Sequence, residues 1–148
     1  MIQDVKIKNS DMPILMDDCI AFKIIFNDKK LVFYFLDEDL SFENKQKGLM
    51  NLKISFVLSE NFLDEKFAPA VRQIDRNKII KKRLLKYLTL KEFVSFIAKR
   101  QYKLKFYANY YNENKCLLIF ELMKNDVLHK GIEFDVELIV DKIIFEWT

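Results

Sequence analysis

From residue 132 to 140 the apolar side chains Ile132, Phe134, Val136, Leu138 and Val140 alternate with Glu133, Asp135 and Glu137. A period of two is what a strand with one buried face requires, because successive side chains point to opposite sides of the pleat. The pattern returns along the chain. Leu52, Ile54, Phe56 and Leu58 alternate with Lys53 and Ser55, and Tyr102, Leu104, Phe106 and Ala108 with Lys103, Lys105, Tyr107 and Asn109. Val5 and Ile7 repeat it in residues 2–8, where flanking lysines suit a sheet edge. The apolar segments 19–26 and 31–36 flank Asn27-Asp28-Lys29-Lys30, a polar connection of hairpin length. Asn112-Glu113-Asn114-Lys115 does the same between 102–111 and 116–123. Residues 31–36 are apolar on both faces, the mark of a strand in the middle of a sheet. The segment 144–147 extends the last strand past Asp141.

Between the strand groups the period changes. From Asn77 onward Ile80, Leu84, Tyr87 and Leu88 recur at three- and four-residue intervals, which predicts an amphipathic helix with Lys78, Lys82 and Lys86 outward. Thr89 with Glu92 three residues on has the spacing of a capping box, so a second helix starts there. Leu90, Phe93, Val94 and Ile97 form its buried stripe; Lys91, Lys99 and Arg100 face outward or flank its C-terminus, where cations suit the dipole. Ser59 can cap a shorter helical turn, which Pro69 ends. The expected fold is α+β: one domain over residues 1–148, a mostly antiparallel β-sheet, and two principal helices inserted mid-chain between the strand groups, between Pro69 and Arg100. With half of its residues hydrophobic and fourteen Phe, the chain can build a large core without staple, metal or cofactor. Phe22, Phe33, Phe56, Phe93, Phe106, Phe120 and Phe134 are its expected aromatic members.

Charge is unevenly placed. Residues 72–105 carry twelve Lys and Arg against Asp75 and Glu92, so the stretch stands at +10 while the whole chain is only +3. The flanks are acidic. No apolar run approaches the length of a membrane span and residues 1–11 lack a signal-peptide core, so the chain reads as a soluble cytoplasmic protein with no membrane role. Cys19 and Cys116 then read as free buried thiols rather than a disulfide.

Chemistry finds little to assemble from. His129, the one histidine, falls in an expected loop before Gly131 and cannot supply a multi-histidine zinc site. Cys116 lacks an oriented base, and two glycines cannot make a phosphate-cradling loop. Glu133, Asp135 and Glu137 share a strand face and read as a solvated face, with Lys103 and Lys105 as cross-strand partners. No catalytic, cofactor-binding or metal-ligating residue is assigned.

Two surfaces remain. One is the outward face of the basic helices, with Lys82, Arg83, Lys86 and Arg100; the other is the outward face of the following strand, with Lys103, Lys105, Tyr107 and Tyr111. The reading is a non-enzymatic protein-interaction module, a stoichiometric binder of one partner with an acidic surface. Inhibitors and the toxin-neutralising immunity proteins of bacteria exemplify this class. The alternative is a nucleic-acid-binding module using the basic 72–105 segment, and the acidic flanks weigh against it, because opposite charge within a Debye length of about 8 Å cancels much of the field.

Overall fold

Strands β2 (Ile20–Asn27) and β3 (Lys30–Leu36) form the first expected hairpin in the computed structural model, which describes residues 2–5, 18–36, 51–67, 69–75, 78–84, 88–125 and 127–147. Asn27 pairs with Lys30, and Asp28 and Lys29 between them take φ of 49° and 58°. Two left-handed residues in succession give the turn whose twist matches that of paired strands. β7 (Lys103–Asn112) and β8 (Lys115–Lys124) form the second hairpin. β4 (Asn51–Leu58) pairs with β3, so β3 lies in mid-sheet as its two-sided apolar sequence requires.

The last strand, β9 (Val127–Trp147), runs for 21 residues and has partners on both edges. β8 lies along its first part and β4 along its last part. The Val140 amide donates to the Asn114 carbonyl at 2.8 Å, while the neighbouring Ile139 carbonyl accepts from Ser59 at 2.9 Å. Consecutive residues of a strand direct their backbone groups to opposite sides, so β8 and β4 occupy opposite edges. The order β4-β3-β2-β7-β8-β9 thereby returns to β4 as a closed antiparallel ring of six strands. The β2–β7 junction is its shortest, with Ile20 opposite Lys105 and Ala21 opposite Leu104. β1 (Ile2–Val5) adds to the far end of β9, and the hairpin of β5 (Ala70–Asp75) and β6 (Lys78–Leu84) adds through β5 to its middle.

A ring of six strands is narrower than the eight-stranded barrels whose interiors just hold side chains or one small ligand. Here phenyl rings fill it. Phe56 and Phe106 meet Phe33 edge-on at 5.7 and 5.2 Å, Phe106 meets Phe120 at 5.4 Å, and Phe120 stacks on Phe134 at 6.0 Å. The helix α1 (Leu90–Lys99) completes this core, with Phe93 against Phe67, Phe120 and Phe134.

The antiparallel sheet agrees with the sequence reading, but the two-helix insertion does not. Residues 78–84, read as the first helix, are β6, paired in register with β5, and only α1 forms as an α-helix among the described residues. Ile79, Ile80 and Leu84 satisfy a strand as readily as a helix, and pairing with a partner strand overrides the helix propensity of Lys, Arg and Leu. His129 likewise belongs to β9 and not to a loop. Six of the seven expected core phenylalanines are buried, whereas Phe22 is 39% exposed. The cause is a bulge at Ala21/Lys23, which turns Phe22 outward beside Tyr34. The acidic residues 37–39 and the segment around Gly48 lie outside the described residues.

Candidate partner-binding surface

The basic surface read from sequence is dispersed. Lys82 and Arg83 lie in β6, opposite Arg72 and Val71 of β5; Lys86 lies outside the described residues. The strands β5, β9 and β8 separate β6 from β7, four steps of about 4.8 Å across the sheet. Lys82 and Arg83 therefore do not lie beside Lys103 and Lys105 in the sheet.

Along β7 a second bulge divides the expected face. The register shifts between Phe106 and Ala108, so Lys105 is opposite Glu121 on the outer face while Asn109 and Tyr111 are opposite Leu118 and Cys116 on the core face. Tyr111 is half-buried against the core and its hydroxyl accepts from Asn109 Nδ2 at 2.8 Å. It is not an outward anchor; Tyr110, 60% exposed, takes the outer position. Burial pushes the Cys116 thiol well above the usual range, against a weaker opposing hydrogen bond with Tyr111. Both cysteines are buried and neither forms a disulfide among the described residues.

Acidic groups surround the outer residues of β7. The Tyr107 hydroxyl donates to Glu121, and Lys105 Nζ lies 5.7 Å from the Tyr107 ring centre. Burial first, then that hydrogen bond and the charges of Glu121, Glu133 and Asp18, push the Tyr107 hydroxyl up to about 12. Lys103 and Lys105 are not cross-strand partners of Glu133 and Asp135, because β8 intervenes: Lys105 pairs with Glu121, Glu121 with Glu133, and Glu133 with Arg72 of β5. Among the described residues no group of three or more His, Cys, Asp or Glu is placed to hold a metal ion.

Among the described residues expected to make contact, Arg100 stands on a coherent surface, and α1 builds it. The helix starts where the sequence indicates: the Glu92 amide donates to Thr89 Oγ1 at 3.0 Å and the Glu92 carboxylate reaches back to the Thr89 amide at 3.4 Å. Asp64, in the short 3-10 turn Asp64–Lys66, accepts the Leu90 amide and so ties the helix start to the preceding segment. At the other end the Gln101 and Tyr102 amides close on the Ala98 and Ile97 carbonyls, with Gln101 at φ 55°. This is a Schellman ending with glutamine where glycine is usual.

With Leu90, Phe93, Val94 and Ile97 buried, the opposite side of α1 presents a cleft of about 410 Å³. Its floor is Leu88, Ser95 and Phe96, and its rim is Lys91, Lys99 and Arg100, all three exposed. The Arg100 guanidinium lies over the Phe96 ring at 4.2 Å and donates through Nη1 to the Phe96 carbonyl at 3.5 Å. Phe96 in turn meets Tyr102 at 6.2 Å, and Lys124 Nζ caps Tyr102 at 5.7 Å. Among the described residues Glu92 is the one carboxylate lining the cleft, and the capping box already engages it. The result is a half-buried apolar strip bordered by cations, of which Arg100 is held in place by Phe96. Sequence reasoning placed these cations outward but missed the strip. Its signal was available: Phe96 falls off the helical face defined by Leu90, Phe93, Val94 and Ile97, an aromatic residue on a polar side.

No helix among the described residues is long and apolar enough to cross a membrane. No protein-family model, curated protein or solved structure matches the chain.

Proposed function

We propose that this protein is a non-enzymatic, cytoplasmic interaction module that binds one acidic protein partner stoichiometrically through the outer face of α1. The observation that carries this reading is the cleft with a Leu88–Phe96 floor and a Lys91, Lys99 and Arg100 rim. An apolar centre bordered by charge is the anatomy of a protein contact, and an arginine stacked on an aromatic ring is a preorganised group of the kind that dominates binding energy once a partner covers it. Phosphate recognition makes no use of the apolar floor, and the β7 lysines that a nucleic acid would meet sit among Glu121 and Glu133.

The test compares tagged wild-type protein with Lys91→Glu/Lys99→Glu and with Phe96→Ala in quantitative partner capture, followed by kinetics on the purified partner. Charge reversal is expected to slow association, most at low salt, and Phe96→Ala to speed dissociation by a factor corresponding to about 1–2 kcal/mol. A partner that binds all three proteins alike uses another face. Protein purified without nuclease that carries bound nucleic acid, released by Lys91→Glu/Lys99→Glu, would instead favour the nucleic-acid reading.

A further inference from the structure

The shape of the cleft narrows what the partner presents. The helix lines the cleft with two rows at four-residue spacing, Lys91-Ser95-Lys99 and Glu92-Phe96-Arg100, and Leu88 stands just ahead of the helix start. Ser95 is a small side chain between Lys91 and Lys99 and beside the Phe96 ring, so the lining has a notch in its middle. The backbone of α1 is satisfied internally and offers no edge to an added strand. Side-chain ridges seat in such notches when helices pack, and a small residue at the crossing point lets the axes approach. Lys91 and Lys99 stand about 12 Å apart along the axis, eight residues at about 1.5 Å each. That spacing matches acidic residues two turns apart on a facing helix.

We infer that the cleft takes an acidic amphipathic helix of the partner, laid along α1 with one large apolar side chain over Ser95 and carboxylates facing Lys91 and the Lys99–Arg100 pair. This rests on the protein-binding reading of the same face. The choice of a helix over an extended segment follows from the two rows with a notch between their ridges and from the absence of a backbone edge. The choice of acidic chemistry follows from three rim cations against one engaged carboxylate.

Three probes separate the possibilities in amide chemical-shift titrations at low and physiological salt. The first is a designed helical peptide with Leu at positions i, i+4 and i+7 and Glu on both flanks. The second has the same composition with two central prolines, and the third is an oligouridylate. The expected result is that the helical peptide shifts amides between Leu88 and Tyr102, gains helicity on binding, and binds at least tenfold more tightly than the proline peptide. Ser95→Gln, which fills the notch without adding charge, should weaken it at least tenfold, with Lys91→Glu/Lys99→Glu as a second variant and circular dichroism confirming that both stay folded. Equal binding of the two peptides at α1 would overturn the helix inference while leaving the protein-binding reading in place. If only oligouridylate moves these amides, both fail. If the helical peptide shifts amides elsewhere, or binds Ser95→Gln unchanged, the assignment to this cleft is wrong.

Discussion

Tyr107 illustrates how one residue can serve a role that its sequence neighbours do not suggest. It sits at the β7 bulge, donates to Glu121 and keeps its proton well into the alkaline range. Glu121 is 6% exposed, and its Oε2 has no hydrogen-bond partner among the described residues, so the Tyr107 bond carries much of the compensation for burying that carboxylate. A sign follows for stability. Below pH 10 the hydroxyl is protonated in folded and unfolded chains alike; between 10 and about 12 the unfolded chain releases a proton that the folded one keeps. The unfolded state then binds fewer protons, so stability falls as pH rises through this window. Tyr107→Phe should remove that fall while destabilising the protein at neutral pH, as read by urea unfolding at a series of pH values. An identical alkaline slope in the variant would show that another group is responsible.

Among the elements, α1 was legible and β6 was not, and the reason is locality. Thr89, Glu92 and the stripe of Leu90, Phe93, Val94 and Ile97 all lie within a dozen residues, so the instructions for the helix are complete in its own sequence. Thr89→Ala should cost about 1 kcal/mol in thermal or chemical denaturation, the usual loss for a capping side chain; an unchanged midpoint would show that Asp64 alone suffices at the helix start. β6 depends on β5 and, through it, on β9, neither of which a local period can report. The bulges at Phe22 and Tyr107 are equally hidden, since each shifts a strand by one residue and reverses the faces beyond it. Reading strict alternation through 102–111 therefore placed Tyr111 outside, when the shift carries it to the core side. The ring was hidden for a related reason. The local pattern carries the last strand past Asp141, but nothing local shows that its final part pairs with β4.

At the scale of the whole molecule, the phenyl chain from β4 through β3, β7 and β8 to α1 joins the helix to the ring. Phe93→Ala removes a side chain 1% exposed in contact with three other rings and should cost about 3–5 kcal/mol, whereas Phe22→Ala, on the outward bulge, should cost less than about 1 kcal/mol. Similar denaturation midpoints for the two variants would contradict this account of the core. Pairings such as Ile2 with Glu146 and Leu52 with Trp147 join distant parts of the chain, which makes for slow folding compared with helical proteins of this size. The closed ring also has a colloidal consequence. Paired strands expose no edge, and β6 has a neighbour on one side only among the described residues, so it is a natural place for molecules to add to one another. Its sequence, Lys78-Ile-Ile-Lys-Lys-Arg-Leu84, sets four like charges against their copies in any such pairing. That repulsion should keep molecules apart in dilute buffer and fade as salt shortens the screening length from about 8 Å to about 3 Å at 1 M. Light scattering should then show association rising with salt, and Lys81→Glu/Lys82→Glu, which permits oppositely charged pairings, should associate already at low salt.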